Sequence, residues 1–422
     1  METNGFSLDT IDIITPEHYA RNGYPHKEWT YLRKHAPVFR CERPYLYEPF
    51  WAITRHADIT AIATQPKLFL NGPRLLVVTN EYGQAQNPEG EQLPFKHLLD
   101  MDPPEHGTYR GLINKRFTPR AVHQLKPQIE EIAQGILDET ARATECDFVT
   151  DISAKLPLAV IAEQLGVPRQ DWADLFKWTN ETIGGADPEF QQGATPAETM
   201  DRSRIALFNY FNELVEKRRK EPKDDLTSVI ANSTLNGQPL PTFELLSYFF
   251  LLVVAGNETT RNATTGGLMA FLENPDQWRR LKANPSLIKP AVEEILRWVT
   301  PVIQFARTAK EDTEIRGQRI KAGQTLCLFY PSANRDEEVF DEPFRFDIGR
   351  DPNPHLSFGI GEHFCLGANL ARLELEVILQ QLAERLEFVE PTGPVVRLRS
   401  SFVGGIKHMP IRYKMSARSK AG

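Results

Sequence analysis

A short glycine-rich stretch near the C-terminus constrains the fold of this 422-residue chain more than any other feature. It reads Phe-Gly-Ile-Gly-Glu-His-Phe-Cys-Leu-Gly over residues 358–367. Two glycines two residues apart permit a tight turn with positive φ, and the pattern after it predicts an amphipathic helix over 366–386. We therefore expect Cys365 at a helix start, where free N–H groups and the helix dipole lower the pKa of its thiol.

Two other interpretations of Cys365 have to be weighed. A lone cysteine is more often a buried structural residue, because free cysteine is among the most buried residue types. Zinc would need companion cysteine or histidine ligands at short spacing. Only His363 lies close to Cys365 in the sequence, so zinc is disfavoured.

The pattern F-G-x-G-x-H-x-C-x-G resembles the haem-binding loop of the cytochrome P450 superfamily at every defined position. The resemblance implies that Cys365 binds the iron of haem b (iron protoporphyrin IX), with Phe358 and Gly367 also at the cofactor. It further implies a mainly α fold with small β-sheets, in a single triangular-prism-like domain over residues 1–422. The expected activity is that of a monooxygenase, which inserts one atom of O2 into a hydrophobic substrate.

The rest of the chain shows helical and strand patterns without an internal repeat or a low-complexity linker. From Asp102 to about Gln277 the pattern is mainly helical, with Asp102 predicted as an N-cap, Pro103 at N1 and Glu105 at N3. Later helices are predicted from Thr242 to Asn274 and from Leu287 to Val299. The remaining segments comprise short strands within 40–70 and 302–330, a long surface excursion over 71–98, and an irregular segment over 331–364.

The helix from Thr242 carries the stretch Ala-Gly-Asn-Glu-Thr-Thr over residues 255–260. The 3.6-residue period places Leu252, Ala255, Gly256, Thr259 and Ala263 on one face. Small residues there would let a flat macrocycle approach the backbone, although the same glycine would also suit an ordinary packed helix. The resemblance implies that Ala255 and Gly256 lie beside the haem, that Thr259 organises hydrogen bonds to oxygen, and that Glu258 supplies protons.

Glu294 and Arg297 are spaced to pair on one helix face. That face lies opposite the apolar stripe, so periodicity favours a solvated pair of little energetic weight. The resemblance instead implies a buried structural pair that holds the cysteine loop. We expect Arg345 as its third member, with Arg350 as a rival.

Haem carries two propionates that need cations or hydrogen-bond donors. His106 and Arg110 lie one helical turn apart and can reach one carboxylate together. Arg307 and His363 are the other positions that match the family's propionate contacts. For each of these residues the alternative is a side chain without a ligand.

Residues 106–129 contain five basic residues and no acid. A run of like charge is usually a solvated face, but the same helix in the family borders a docking surface for an electron donor. We expect Lys115, Arg116 and Arg372 on this surface. Because no flavin or nicotinamide domain fits in the chain, electrons should come from a separate ferredoxin or flavodoxin with its reductase.

Charge and cysteine content bound the remaining functions. The net charge of −7 argues against nucleic-acid binding, and four cysteines without paired spacing indicate a reducing compartment. The longest apolar stretch, residues 245–255, is too short for a membrane span, and residues 1–12 lack the pattern of a signal peptide. We therefore expect a cytoplasmic protein.

The substrate pocket should be lined by parts of 71–98, 247–260, 302–305 and 402–403, which are mostly apolar. The stretches 178–181, 255–262 and 405–408 resemble those of bacterial family members that oxidise sterol side chains, and related members act on terpenoids. We therefore expect a small hydrophobic substrate, either a steroid or a terpenoid. The alternatives are a peroxygenase, dehydratase or isomerase of the haem-thiolate class, and a haem protein without catalytic activity.

Overall fold

Helices dominate the structure, which confirms the predicted mainly α fold with small β-sheets. The computed structural model describes residues 7–80, 97–185 and 187–416. The helices in these ranges are Pro16–Asn22 (α1), His26–His35 (α2), His56–Ala63 (α3), Glu105–Ile113 (α4), Pro119–His123 (α5), Lys126–Thr140 (α6), Lys155–Gln164 (α7), Trp172–Ile183 (α8), Pro196–Lys220 (α9), Leu226–Ala231 (α10), Thr242–Glu273 (α11), Pro275–Ala283 (α12), Ile288–Val299 (α13), Tyr330–Ala333 (α14) and Ala368–Arg385 (α15). The strands are Val38–Cys41 (β1), Phe50–Ile53 (β2), Phe69–Leu70 (β3), Glu145–Asp147 (β4), Thr234–Leu235 (β5), Gln238–Pro239 (β6), Gln304–Ala309 (β7), Thr313–Ile315 (β8), Gln318–Ile320 (β9), Thr325–Phe329 (β10), Leu386–Pro391 (β11), Val396–Arg397 (β12), Ile406–His408 (β13) and Pro410–Met415 (β14).

Helix α11 is the central helix of the fold. Its N-terminal half is apolar on every side, a pattern typical of a helix buried all round. It packs against α7, α8, α9, α13 and α15. The helix ends at Glu273, before Pro275, because the residue before a proline is disfavoured in the α conformation. The helices predicted from Thr242 and from Leu287 are both confirmed within a residue at each end.

Two sheets tie distant parts of the chain together. The larger has the order β1-β2-β10-β7-β3, with β2 and β10 parallel and the other neighbours antiparallel. This sheet confirms the strands predicted within 40–70 and 302–330. The smaller sheet has the order β11-β14-β4, so residues 145–147 pair with residues 410–412.

The predicted start of the helix after residue 102 is wrong. Helix α4 begins at Glu105, and Asp102 does not cap it with its side chain. The two carboxylate oxygens of Asp102 instead accept hydrogen bonds from the N–H groups of Asn71 (2.8 Å) and Gly72 (3.2 Å). Two successive prolines explain the shift, because Pro104 disfavours the α conformation at Pro103.

Part of the predicted surface excursion over 71–98 can be placed. Residues 81–96 lie outside the described residues. The part before them runs along β7, where the Ala306 N–H donates to the Leu75 carbonyl at 2.6 Å. The side chain of Gln304 bonds both the N–H (3.1 Å) and the carbonyl (2.6 Å) of Val77. Among the described helices, none is long and apolar enough to cross a membrane.

Candidate active site

The middle of helix α11 exposes a narrow stripe of residues although the helix is packed on its other sides. Ala255 is exposed, and Leu251 and Thr259, one turn to either side, are partly exposed. Residues four apart share a helix face, so this stripe lines a cleft inside the protein. Leu252 and Ala263, which were predicted on the same face, are buried.

The hydroxyl of Thr259 donates to the Ala255 carbonyl at 2.9 Å. A threonine that bonds the carbonyl four residues earlier often bends a helix. Gly256 has a different role, because a Cβ at this position would lie 3.2 Å from the side chain of Ile161 in α7. The contacts of Gly256 therefore support the packing interpretation, and its predicted contact with haem stays a prediction.

Glu258 is buried beside the open stripe and forms an ion pair with Arg261. Burial raises the pKa of the Glu258 carboxyl, and the neighbouring Arg261 acts in the opposite direction. Both side chains lie in the interior, so their electrostatic interaction is only weakly screened by solvent. Arg261 was not identified from the sequence.

The cysteine loop has the backbone that its glycines predicted. Gly359 and Gly361 have φ values of 68° and 79°, and a Cβ on Gly361 would meet the Ala63 carbonyl of α3 at 2.5 Å. The Cys365 N–H closes the loop by donating to the Phe358 carbonyl at 2.9 Å. Helix α15 begins only at Ala368, so Cys365 precedes the first turn by three residues rather than starting the helix.

The expected lowering of the Cys365 pKa by protein groups alone is wrong. The residue keeps exposed surface, but the surrounding protein desolvates it, and this burial raises the pKa of the thiol. A hydrogen bond from the Gly367 N–H and the charges of Arg110 and Arg372 act in the opposite direction without overcoming burial. Cys365 is desolvated by surrounding protein although part of its surface is exposed. We infer that the exposed part faces a cleft in the interior. A metal cation bound there would favour the thiolate directly.

Four predicted cofactor residues come together beside the cysteine loop. The rings of His106 and His363 lie 3.9 Å apart between centroids. The Arg110 guanidinium donates to the Phe364 carbonyl at 2.7 Å. Burial and the nearby His106, Arg307 and Arg110 lower the pKa of His363 to about 3. These four groups therefore occupy one electropositive region.

This region fits the propionates of haem. Among the described residues, Nδ1 of His106 and at least one ring nitrogen of His363 are buried without a hydrogen-bond partner, and Arg307 is 4% exposed. Over residues 7–80, 97–185 and 187–416, no carboxylate forms an ion pair with any of the four. Buried polar and charged groups need partners, and two propionate carboxylates would supply them. The same ranges contain no group of three or more His, Cys, Asp or Glu side chains that could hold a metal ion.

The ion pair predicted between Glu294 and Arg297 is fully buried, as the resemblance implied and the helical periodicity did not. Its third member is Arg350, whose Nε lies 3.3 Å from the Glu294 carboxylate. The expectation of Arg345 was wrong. The Arg345 side chain is exposed and pairs with Glu342, and only its backbone carbonyl reaches Arg297.

Arg372 belongs to a second cluster that the sequence did not reveal. It donates two hydrogen bonds to the Glu293 carboxylate, at 2.7 and 2.9 Å, and His355 contacts the same carboxylate at 3.0 Å. Although burial alone would raise it, hydrogen bonds from His355 and Arg372 lower the pKa of Glu293 to about 2. The guanidinium lies 4.6 Å from the centroid of the Phe358 ring. Arg372 therefore supports the cysteine loop, and its charge is largely neutralised.

The other two predicted docking residues differ in their surroundings. Lys115 is exposed. Arg116 is half-buried and forms a 2.7 Å ion pair with Asp224. Lys115 is thus the better placed of the two to meet an acidic partner.

Comparisons with known proteins agree with this site. The sequence model of the family "Cytochrome P450" matches residues 195–415. The chain is 37% identical to a steroid C26-monooxygenase of Rhodococcus jostii, covering 96% of this chain and 85% of that protein. It is 35% identical to a linalool 8-monooxygenase of Pseudomonas putida, covering 96% and 99%.

A solved structure extends this similarity to the fold. The structure of a Mycobacterium marinum cytochrome P450 in complex with pseudoionone matches with a TM-score of 0.88 and 34% identity, over 96% of this chain and 99% of that chain. Identity and coverage of this order, together with the cysteine loop and the cationic region, establish the family. The chain belongs to the cytochrome P450 family and is a haem-thiolate monooxygenase.

Proposed function

We propose that this monooxygenase hydroxylates a steroid or a terpenoid, with electrons from a separate ferredoxin or flavodoxin and its reductase. The observation that carries the proposal is the open stripe of α11, in which apolar Leu251 and Ala255 precede Thr259. A stripe of two apolar side chains and one hydroxyl group suits a hydrophobic substrate. The names of the steroid C26-monooxygenase and the linalool 8-monooxygenase support the same two substrate classes.

Residues 302–305 and 402–403, which were both predicted to line the pocket, lie against each other. Val302 and Val403 form an isolated antiparallel bridge, and the Ile303 N–H donates to the Phe402 carbonyl at 2.8 Å. The rings of Phe305 and Phe402 lie 5.6 Å apart between centroids. Apolar side chains from β7 and from the turn before β13 can therefore form one continuous surface for a substrate.

The residues present can hold the cofactor. Cys365 would bind the iron, and the propionates would be held by His106, Arg110, Arg307 and His363. When bound, haem with a thiolate ligand supplies the electron density that favours cleavage of the O–O bond.

The protein residues supply hydrogen bonds and protons for this chemistry. Hydroxylation of a C–H bond by O2 consumes two electrons and two protons and releases one water. The Thr259 hydroxyl uses its hydrogen for the Ala255 carbonyl, so its oxygen can accept a hydrogen bond from an incoming proton carrier. Glu258 is the acid closest in sequence to this hydroxyl, and we assign it as the proton donor.

A panel of ligands tests the substrate class. We expect steroids with an intact side chain, or linalool-like terpenoids, to convert the haem spectrum to high spin at lower concentrations than long-chain fatty acids do. With a ferredoxin, its reductase and NADPH, a hydroxylated product should form under air and not under nitrogen. Preference for fatty acids would contradict the substrate class. Product under nitrogen would indicate a dehydratase or isomerase, and electron consumption that does not respond to substrate would indicate a haem protein without catalytic activity.

The proposal also covers the cellular compartment and the domain organisation of the protein. We propose that the protein works in a reducing compartment such as the cytoplasm, since all four cysteines are free. We also propose a single domain over 1–422. The pairing of β4 with β14, which joins residues more than 260 positions apart, supports it.

A further inference from the structure

One buried amide joins three of the segments that were predicted to line the substrate pocket. It belongs to Gln304, the first residue of β7, which is 0% exposed. The three segments are the start of 71–98, residues 302–305 and the turn at 402–403. A buried amide needs partners for its hydrogen-bonding groups, so the partners of Gln304 show which parts of the pocket it holds together.

The side chain of Gln304 bonds both backbone groups of Val77. Its Nε2 donates to the Val77 carbonyl at 2.6 Å, and its Oε1 accepts from the Val77 N–H at 3.1 Å. The amide thus offers one N–H and one C=O to a single residue, as the backbone of a neighbouring strand would. Val77 lies in the stretch 74–78, which belongs to no strand. Gln304 therefore fixes this stretch to β7.

The remaining hydrogen-bonding groups of Gln304 reach two further elements. Nε2 also donates to the Ser401 carbonyl at 3.4 Å, directly before the turn at Phe402. Oε1 also accepts from the thiol of Cys327 in β10 at 2.8 Å. Burial raises the pKa of this thiol well above its usual value, so the group stays protonated and can donate. An amide has two N–H donors and an oxygen with two lone pairs, so Gln304 uses its whole capacity.

Gln304 lies behind the pocket and does not line it. Successive side chains of a strand point to opposite faces, so Phe305 and Arg307 share one face of β7 and Gln304 lies on the other. Arg307 belongs to the electropositive region that fits the haem propionates, and the Phe305 ring contacts that of Phe402. Gln304 can therefore act on the pocket only through the segments that it binds.

Removing the amide would leave three backbone groups without their partner. They are the N–H and the carbonyl of Val77 and the carbonyl of Ser401. Val77 and Ser401 are 3% and 5% exposed, so bulk water does not reach them to replace the amide. Unsatisfied buried groups are costly, and the two segments would shift to find new partners. The spacing of these segments therefore depends on Gln304.

We propose that Gln304 is a positioning residue for substrate specificity, which fixes residues 75–77 and the turn at 402–403 against β7 and so sets the width of the substrate pocket. This inference rests on the proposed function, because it takes these segments as the pocket walls. A preformed pocket binds more tightly than one that has to be ordered on binding. Gln304 should therefore matter for ligands large enough to touch the walls and not for smaller ones.

Two azoles of different size test this dependence in the haem-loaded protein. Both can bind iron through a ring nitrogen, but 4-phenylimidazole also has to fit between the pocket walls, whereas imidazole is small. In Gln304→Leu we expect the spectral dissociation constant of 4-phenylimidazole to rise about tenfold, and that of imidazole to stay within about twofold of the wild type.

Gln324→Leu is the matched control. Gln324 directly precedes β10, at the end of this strand opposite to the pairing of Phe329 with Gln304. Its Oε1 accepts from Nε1 of Trp51 at 2.8 Å and from the Lys321 N–H at 3.0 Å. The same substitution therefore removes side-chain hydrogen bonds next to the same strand, away from the predicted pocket. Both azoles should bind this variant as they bind the wild type.

Gln304→Glu keeps the shape of the side chain and makes the effect depend on pH. A protonated carboxyl has an O–H donor and a C=O acceptor and can replace the amide at Val77, whereas a carboxylate has no donor and repels the carbonyls of Val77 and Ser401. Burial raises the pKa of a carboxyl group, so the protonated form should prevail at pH 6 and decline toward pH 9. Compared with the wild type at the same pH, 4-phenylimidazole should bind within about twofold at pH 6 and progressively more weakly toward pH 9.

Hydrogen exchange locates the change without any ligand. Peptides that contain Val77 should exchange about tenfold faster in Gln304→Leu than in the wild type, and at the wild-type rate in Gln324→Leu. Equal effects of the two leucine variants, or unchanged binding of 4-phenylimidazole to Gln304→Leu, would overturn the inference. If Gln304→Leu does not fold, Gln304→Glu decides, because binding that follows the wild type from pH 6 to pH 9 would overturn it equally. Azoles bind iron whatever the natural substrate is, so a failure of the proposed substrate class leaves these results unaffected.

Discussion

Replacing Arg350 or Arg345 by alanine tests which arginine completes the buried ion cluster below the cysteine loop. Both arginines lie in the irregular segment between α14 and α15, five positions apart. Arg350 reaches the fully buried Glu294, and its side chain is 10% exposed. The Arg345 side chain is 57% exposed and forms an ion pair with the exposed Glu342. Arg345→Ala is therefore a matched control for Arg350→Ala.

The magnitude follows from the contacts that Arg350→Ala would remove. Besides its ion pair with Glu294, the guanidinium donates to the carbonyls of Asp341 (2.7 Å), Glu342 (3.2 Å) and Arg345 (3.0 Å). Breaking a buried ion pair costs about 3–5 kcal/mol. Glu294 keeps two hydrogen bonds of 2.8 Å from Arg297, so we expect a loss of about 2–4 kcal/mol in the free energy of unfolding.

Thermal unfolding and haem retention measure this effect. A chain of this length has an unfolding entropy of about 0.9 kcal/mol/K, so Tm should fall by about 2–4 °C in Arg350→Ala. The variant should also lose haem faster, because the segment that Arg350 binds leads into the cysteine loop. Arg345→Ala should leave Tm and haem content unchanged. Equal losses in the two variants, or a larger loss in Arg345→Ala, would refute the assignment.

Three further predictions follow from single sites. Cys365→Ser should abolish the spectral band of the reduced, carbon-monoxide-bound haem thiolate; retention of that band would contradict iron ligation by this sulfur. Lys115→Glu should slow reduction by a ferredoxin several-fold at low salt and leave substrate affinity unchanged, as stopped-flow traces and spectral titrations would reveal. Both ring nitrogens of His408 contact carboxylates, of Asp147 at 2.5 Å and Glu189 at 2.7 Å, and these contacts raise the pKa of His408 although burial opposes them. Its contribution to stability should be complete below about pH 6.5 and disappear as pH rises through the raised pKa, so the Tm difference between wild type and His408→Gln should shrink from pH 6 to pH 9.

Local sequence patterns predicted the main elements of the fold and the backbone turn of the cysteine loop. The glycines of 358–367 predicted the positive φ values, and helical periodicity predicted α11 and α13 within a residue at each end. These features depend on neighbours along the chain, so the sequence alone determines them. The start of α4 was predicted wrongly. Pro104 disfavours the α conformation at Pro103, and this effect outweighs the capping pattern that begins at Asp102.

Ion pairs between side chains that are far apart in the sequence could not be predicted from local sequence patterns. Helical periodicity placed Glu294 on a solvated face, yet the irregular segment 334–353 covers that face and leaves Glu294 fully buried. No periodicity exists in that segment, so nothing local distinguishes Arg350, which points inward, from Arg345, which points outward. The pairing of Arg372 with Glu293 was likewise not predicted, and the place of Arg372 on a docking surface stays a prediction.

The residues of this chain thus determine by themselves a cysteine presented by a glycine turn and a long central helix with an acid beside an alcohol. Only the tertiary structure decides which charges are neutralised, which remain free for a ligand, and which side chain holds Glu258. The physical reason is that an ion pair or a buried hydrogen bond depends on the distance between atoms from different elements. That distance is set when helices and loops pack against each other, and the order of residues along one element does not specify it.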